Sequence, residues 1–161
     1  MWSAEHHYAG YTSYASLTDL PVRAPAFAEI AKYLATHVKR FAFSVGFEVR
    51  VPPRLDSLWI NILEPGGHHS GHVHPNSAIS GTFYVTVPSG ASAIQFEDPR
   101  LAMMMAAPPM RKGAPRALNR FAAIKPKAGT VLLWESWLRH EVPVNLAQTE
   151  RVSVNFNYSW N

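Results

Sequence analysis

A chain of 161 residues, 47% hydrophobic and 16% charged, can bury one sizeable core and is too apolar and aromatic to stay disordered. It has no cysteine, which excludes disulfides, thiolate metal sites and a thiol nucleophile and leaves nitrogen or oxygen as the only metal ligands. The net charge of +4 is uneven: seven Lys or Arg residues and no acid fall between Pro99 and Trp134. Without the interleaved aromatics of a nucleic-acid surface, that segment reads as a solvated basic loop, or as attraction for an acidic substrate.

In chain order, Met1 to Leu20 carries Tyr8, Tyr11 and Tyr14 among small polar residues and is expected to be an extended arm lying across a sheet. His6 and His7 point apart in an extended chain and are expected to be solvated. No basic segment followed by an apolar run opens the chain, and no run of about eighteen apolar residues occurs, so neither secretion nor a membrane span is expected and the cytoplasm is the default location. From Pro25 to about Phe43, apolar residues at Phe27, Ile30, Ala31, Leu34, Val38 and Phe41 have helical spacing. Pro25 suits the first turn of that helix, and Gly46 lies just past its end.

After Pro52-Pro53 the pattern changes to short strand-like runs separated by turn residues: 55–63, 70–74, 78–87, 93–96, 121–124, 130–134, 140–144 and 151–158. One helix followed by eight short strands predicts a double-sheet jelly roll or barrel with the helix packed outside one sheet. A single domain over 1–161 is expected, with arm and supporting helix in 1–53 and the β core in 54–161. The stretch from Asp98 to Asn119 is a long loop whose Met103, Met104 and Met105 either fill core gaps or form an apolar lid.

Four of the eight histidines, His68, His69, His72 and His74, crowd beside a Gly-Gly turn. Residues two apart in a strand share a face, so the imidazoles of His72 and His74 can converge on one ion, while His68 and His69 are expected to face solvent or support the site. His140, after the apolar run Val131 to Trp134, is the candidate third ligand. Eleven residues on, alternation puts Arg151, Ser153 and Asn155 on one face of a strand. An arginine grips a carboxylate with two parallel hydrogen bonds and a neighbouring hydroxyl can donate a third; the competing reading is a salt bridge to an acid of the protein. Asn61 shares parity with Trp59 and could orient a ligand, and Ser80 and Thr82 share parity with Tyr84. Trp134 and Trp137 are expected to wall the pocket.

The pattern His-x-(acid), His, Arg-x-Ser over a jelly roll resembles the Fe(II)- and 2-oxoglutarate-dependent oxygenases. "GYTSYASL", "HVHPNSAISGTFYV", "FEDPR", "LLWESWLRHEVPVN" and "ERVSVNFNY" are similar to a group of small bacterial and phage-type 2-oxoglutarate oxygenases, and the likeness covers nearly the whole chain. The resemblance implies a double-stranded β-helix, catalytic iron held by His72, His74 and His140, and the far carboxylate of 2-oxoglutarate held by Arg151 with help from Ser153 and Tyr84. Most members of the superfamily have Asp or Glu where this chain has His74. Three neutral imidazoles still leave three coordination positions, and the centre keeps its full positive charge. Glu97, Asp98, Glu135 or Glu141 could instead reach in as a carboxylate ligand.

The function this implies is hydroxylation of an unidentified small-molecule or peptide substrate by dioxygen, with 2-oxoglutarate decarboxylated to succinate. Two other readings stand beside it: a three-histidine cupin-type dioxygenase that does without 2-oxoglutarate, and a non-catalytic metal- or acid-binding jelly roll. No nucleic-acid or membrane partner is expected, and a homodimer is left open.

Overall fold

The structure, a computed structural model, describes every residue except Met1, Ala15, Thr18, Val49, Met105 and Asn161, and only the backbone of Trp2 and Ala4. Met105, of the methionine run weighed above, lies outside the described residues. Short helices α1 (Trp2–Glu5) and α2 (Leu20–Arg23) flank strand β1 (Gly10–Thr12) and precede the long helix α3 (Pro25–Ser44). The strands that follow are β2 (Arg54–Leu63), β3 (His69–His72), β4 (Ile79–Thr86), β5 (Ile94–Glu97), β6 (Phe121–Ile124), β7 (Val131–Glu135), β8 (His140–Val142) and β9 (Arg151–Ser159).

They form two antiparallel sheets, one of five strands in the order β1-β2-β9-β4-β7 and one of four in the order β3-β8-β5-β6. This is the expected double-sheet jelly roll. The N-terminal arm does not lie across a sheet; it extends one, since Tyr11 pairs with Ile62 at the edge of β2 and thereby satisfies backbone groups that an open edge would leave bare.

Helix α3 starts with Pro25 in its first turn and ends where Gly46 takes φ +82°. There Phe47 N–H donates to Ala42 C=O at 2.9 Å and Gly46 N–H to Phe43 C=O at 3.2 Å, the paired bonds of a Schellman cap. Its buried stripe, Leu34, Val38 and Ala42, packs on Leu58, Ile79 and Phe156 from the outer face of the larger sheet. Burying each large side chain of this layer stabilises the fold by roughly 2 kcal/mol. Gly81 makes the layer possible. A Cβ there would stand 2.3 Å from the Phe156 ring and 2.8 Å from Leu132 C=O.

Alternation along β9 then sends Arg151, Asn155 and Asn157 the other way, into a cavity between the sheets. A second apolar cluster, Leu63, Ile94, Phe96, Trp134 and Val142, joins the two sheets beside that cavity.

Candidate metal and acid-binding site

The cavity measures about 670 Å³. One wall is built by three adjacent strands whose inward residues fall in register. Asn61, Ser153 and Tyr84 form one row, Trp59, Asn155 and Thr82 the next, and Ser57, Asn157 and Ser80 the third. Polar side chains occupy most of this face because the apolar set of each strand is committed to α3.

The opposite wall carries the histidines. His72 and His140 are direct cross-strand partners on β3 and β8, with ring centroids 4.4 Å apart. His74 lies beyond the end of β3, where a strand through His74 was expected, yet its ring still converges, with centroids 5.1 Å from His72 and 5.2 Å from His140. Its position is fixed by the backbone: His74 N–H donates to Ser136 C=O at 3.1 Å. One ring nitrogen from each of the three lies within 4.8 Å of the others.

Two of the rings are oriented by the backbone. Nδ1 of His72 lies 2.7 Å from Ser70 C=O, and Nδ1 of His140 lies 2.9 Å from Leu138 C=O. A donor Nδ1–H fixes the tautomer that leaves the Nε2 lone pair free for a metal. Burial, then the charges of His72 and His140, lowers the pKa of His74 to about 3. Burial lowers His140 to about 4 against the opposing pull of the Leu138 carbonyl. Both imidazoles are therefore neutral at neutral pH, the form that ligates.

The acids considered as alternative ligands are engaged elsewhere or away from the cavity wall. Glu97 pairs with Arg139 at 3.1 Å, Asp98 with Arg100 at 2.7 Å, and Glu141 accepts from Gln95 at 3.0 Å. Among the described residues the metal-binding cluster contains no carboxylate, and Glu135 does not line the cavity.

Arg151 is 5% exposed, and among the described residues no acid pairs with it. Its guanidinium sits 5.2 Å from the Tyr84 ring centroid and donates one long bond, 3.4 Å, to Ser92 C=O. Burial pulls its pKa below the ordinary arginine value. A buried cation held this way costs several kcal/mol unless an anion joins it. Asn61 Oδ1, Thr82 Oγ1 and Trp134 Nε1, all on cavity-lining residues, are buried without a partner among the described residues, as is Oη of Tyr84, which does not line the cavity. Ser153 is placed differently from the expectation of a hydroxyl aimed at the ligand. It lies between Asn61 and Tyr84 in register, accepts from Asn155 Nδ2 at 3.3 Å and does not line the cavity.

The remaining side chains singled out from sequence divide. Trp134 packs at 4.8 Å on His140 and walls the cavity, whereas Trp137 is 55% exposed and stands away from it. Ser80 braces the wall, bonded to Ser136 at 2.8 Å and donating to Asn157 at 2.7 Å. Tyr8, given no part in the site from sequence, and His69, expected at most to support it, both line the cavity and share a 2.8 Å hydrogen bond. Burial raises the Tyr8 pKa and lowers that of His69 to about 4, the Arg151 charge adding to the second shift. Their meeting spans 61 residues, so the only available sequence signal was the tyrosine-rich arm itself.

The two-sheet jelly roll thus encloses three converging imidazoles, a donor set that could hold a metal ion, and a buried arginine with no acidic partner among the described residues. Residues 57–157 match the family model described as "Putative 2OG-Fe(II) oxygenase", and the chain belongs to that family. The cofactors that go with that family are Fe(II) and 2-oxoglutarate. Comparison with curated proteins finds no match.

Solved structures share the fold at low identity. HygX from Streptomyces hygroscopicus, crystallised with nickel and 2-oxoglutarate, aligns with TM-score 0.59 and 16% identity over 88% of this chain and 70% of its own. A Pseudomonas putida prolyl-4-hydroxylase aligns with TM-score 0.51 and 18% identity over 80% of this chain and 64% of its own. A 2OG-Fe(II) oxygenase family oxidoreductase from Burkholderia pseudomallei gives 0.52 and 20% over 73% of this chain, which spans only 50% of that longer protein. The residues present fit the family's cofactors: a neutral nitrogen donor set suits Fe(II), and an unpaired buried guanidinium suits a carboxylate. Among the described residues no helix is long and apolar enough to cross a membrane.

Proposed function

We propose that His72, His74 and His140 are the iron ligands and that Arg151 docks the far carboxylate of 2-oxoglutarate, with Tyr84 and Asn61 beside it and Ser153 behind them. The reaction is hydroxylation of a small-molecule or peptide substrate. With dioxygen, the bound iron and 2-oxoglutarate supply an oxidant strong enough for an unactivated C–H bond, releasing succinate and carbon dioxide.

The chain's own contribution is orientation, charge and exclusion of water. Ser70 and Leu138 carbonyls hold the rings of His72 and His140 so that both Nε2 lone pairs face inward. Three neutral ligands leave the charge of the centre undiminished, which favours an anionic co-substrate. Trp134 and Phe96, packed on His140, keep bulk water from that side of the centre.

The single observation carrying this reading is the pairing of three ring nitrogens within 4.8 Å of one another with a buried arginine that no acid among the described residues neutralises. Anaerobic titration of Fe(II)-loaded protein with 2-oxoglutarate tests it. The visible charge-transfer band of a chelated 2-oxo acid is expected in the wild type and weakened in both His74→Ala and Arg151→Ala. Iron binding without such a band would sink the assignment and leave the cupin-like or non-catalytic reading.

A further inference from the structure

The strand β2 departs from regular alternation at one point. Its register against β9 runs Leu55 to Tyr158 and then Ser57 to Asn157, so Asp56 is an extra residue without a cross-strand partner. The reason lies in the packing. Leu55 and Leu58 both face the α3 layer, although they are three residues apart and a regular strand would turn one of them away. The bulge absorbs the mismatch and brings Asp56 to the cavity side together with Ser57.

Asp56 is the sole carboxylate among the described residues lining the cavity, and no described cation pairs with it. Asp56 is exposed at that wall; Tyr14 and Trp59, an edge-on pair 5.0 Å apart, line the same cavity, and Asn157 is the cross-strand partner of the neighbouring Ser57. Asn157 Nδ2 is 3.5 Å from His74 Nδ1, and Trp59 lies 6.0 Å from the His74 ring. Asp56 therefore opens on the same side of the cavity as the three imidazoles. Arg151 lies six residues from Asn157 along β9, about 20 Å at the rise of an extended strand.

We infer that Asp56 is a specificity-determining residue that holds a positively charged group of the oxidised substrate, an ammonium or guanidinium, with Tyr14 and Trp59 against the cation and its carbon skeleton. The assignment rests on the reading of the site as an iron- and 2-oxoglutarate-dependent centre, because that reading commits Arg151 to the co-substrate. The two charges of the cavity then serve different ligands, the arginine an anion and the aspartate a cation. An aromatic face and a carboxylate together select ammonium and guanidinium groups over neutral isosteres.

The test uses zinc-loaded protein with 2-oxoglutarate present, which binds without turnover, and ligand-observed NMR. Probes are shape-matched pairs: L-lysine with L-norleucine, L-arginine with L-citrulline, and benzylamine with benzyl alcohol. In the wild type the cationic member of at least one pair should bind roughly three- to thirtyfold more tightly, a preference that shrinks with added salt. Asp56→Asn should abolish the preference and Asp56→Glu should restore part of it, with thermal unfolding reporting that each variant folds. Equal binding within every pair, a preference unchanged in Asp56→Asn, or no cation bound at millimolar concentration would overturn the inference. The 2-oxoglutarate signal is read in the same samples. Its absence from the wild type would sink the co-substrate reading, whereas its presence without cation preference would sink the role of Asp56 alone.

Discussion

His72 and His140 face each other across the β3–β8 ladder, and each turns its Nδ1 onto the backbone carbonyl two residues earlier in its own chain segment. The two rings are thus oriented by the backbone that leads into them. Replacing either with alanine removes one of three neutral donors and leaves the backbone geometry of the other intact.

Metal binding should accordingly fall by at least about a hundredfold in His140→Ala, on the scale at which even outer partners of a ligand cost ten- to a hundredfold. Anaerobic Co(II) titration followed by absorbance checks this. Unchanged affinity would remove His140 from the ligand set.

His74→Asp is the informative exchange at the third position. It should keep metal bound, since a two-histidine, one-carboxylate face is a working Fe(II) site, but it lowers the charge of the centre by one. Affinity for 2-oxoglutarate should then weaken, measured by the charge-transfer band against co-substrate concentration. A tighter co-substrate in the variant would contradict the electrostatic argument.

Gly81→Ala tests the packing that supports the site from behind. The added methyl would stand 2.3 Å from the fully buried Phe156 ring and 2.8 Å from the Leu132 backbone carbonyl, so one of them must shift. Overpacking of this kind costs about 1–3 kcal/mol. A urea midpoint unchanged from wild type would show that the layer is looser than its geometry implies.

The metal-free protein should lose stability as the pH is lowered from about 7.5 toward 4. His69, His74 and His140 have folded pKa values of about 4, 3 and 4, lowered chiefly by burial, against an ordinary value near 6.5. Between those limits the unfolded chain binds more protons, so the unfolding free energy falls with falling pH, by up to about 1.4 kcal/mol per pH unit for each group. The contribution is complete above pH 6.5 and lost as pH passes through the folded values. Thermal unfolding of the apo protein from pH 8 to 5 reads the slope, and a flat midpoint over that range would refute it.

The strands and the long helix were legible because their apolar spacing is local and regular. Arg151 was legible for the same reason, as a charge inside a strict alternation, and so were His72 and His140. His74 converges with the other two rings, but not because a strand runs through it: Ser136 holds its backbone beyond the end of β3. Asp56 was hidden by the bulge, since strict alternation assigns it to the helix side with Leu58. Tyr8 and His69 could not be paired from sequence, because their contact depends on β1 docking at the edge of β2. Trp137 and Trp134 look alike in a hydrophobic run, and only the turn between β7 and β8 sends one to solvent.

His72 and His140 ride on the four-stranded sheet and Arg151 on the five-stranded one. The cluster of Leu63, Ile94, Phe96, Trp134 and Val142 between the sheets is therefore a spacer, and in the site as proposed its thickness would set how long a diacid reaches from one wall to the other. Trimming that cluster, for instance by Phe96→Leu, would act as a change of ruler. It would shift the preferred chain length of the 2-oxo diacid while leaving His72, His74, His140 and Arg151 themselves unsubstituted.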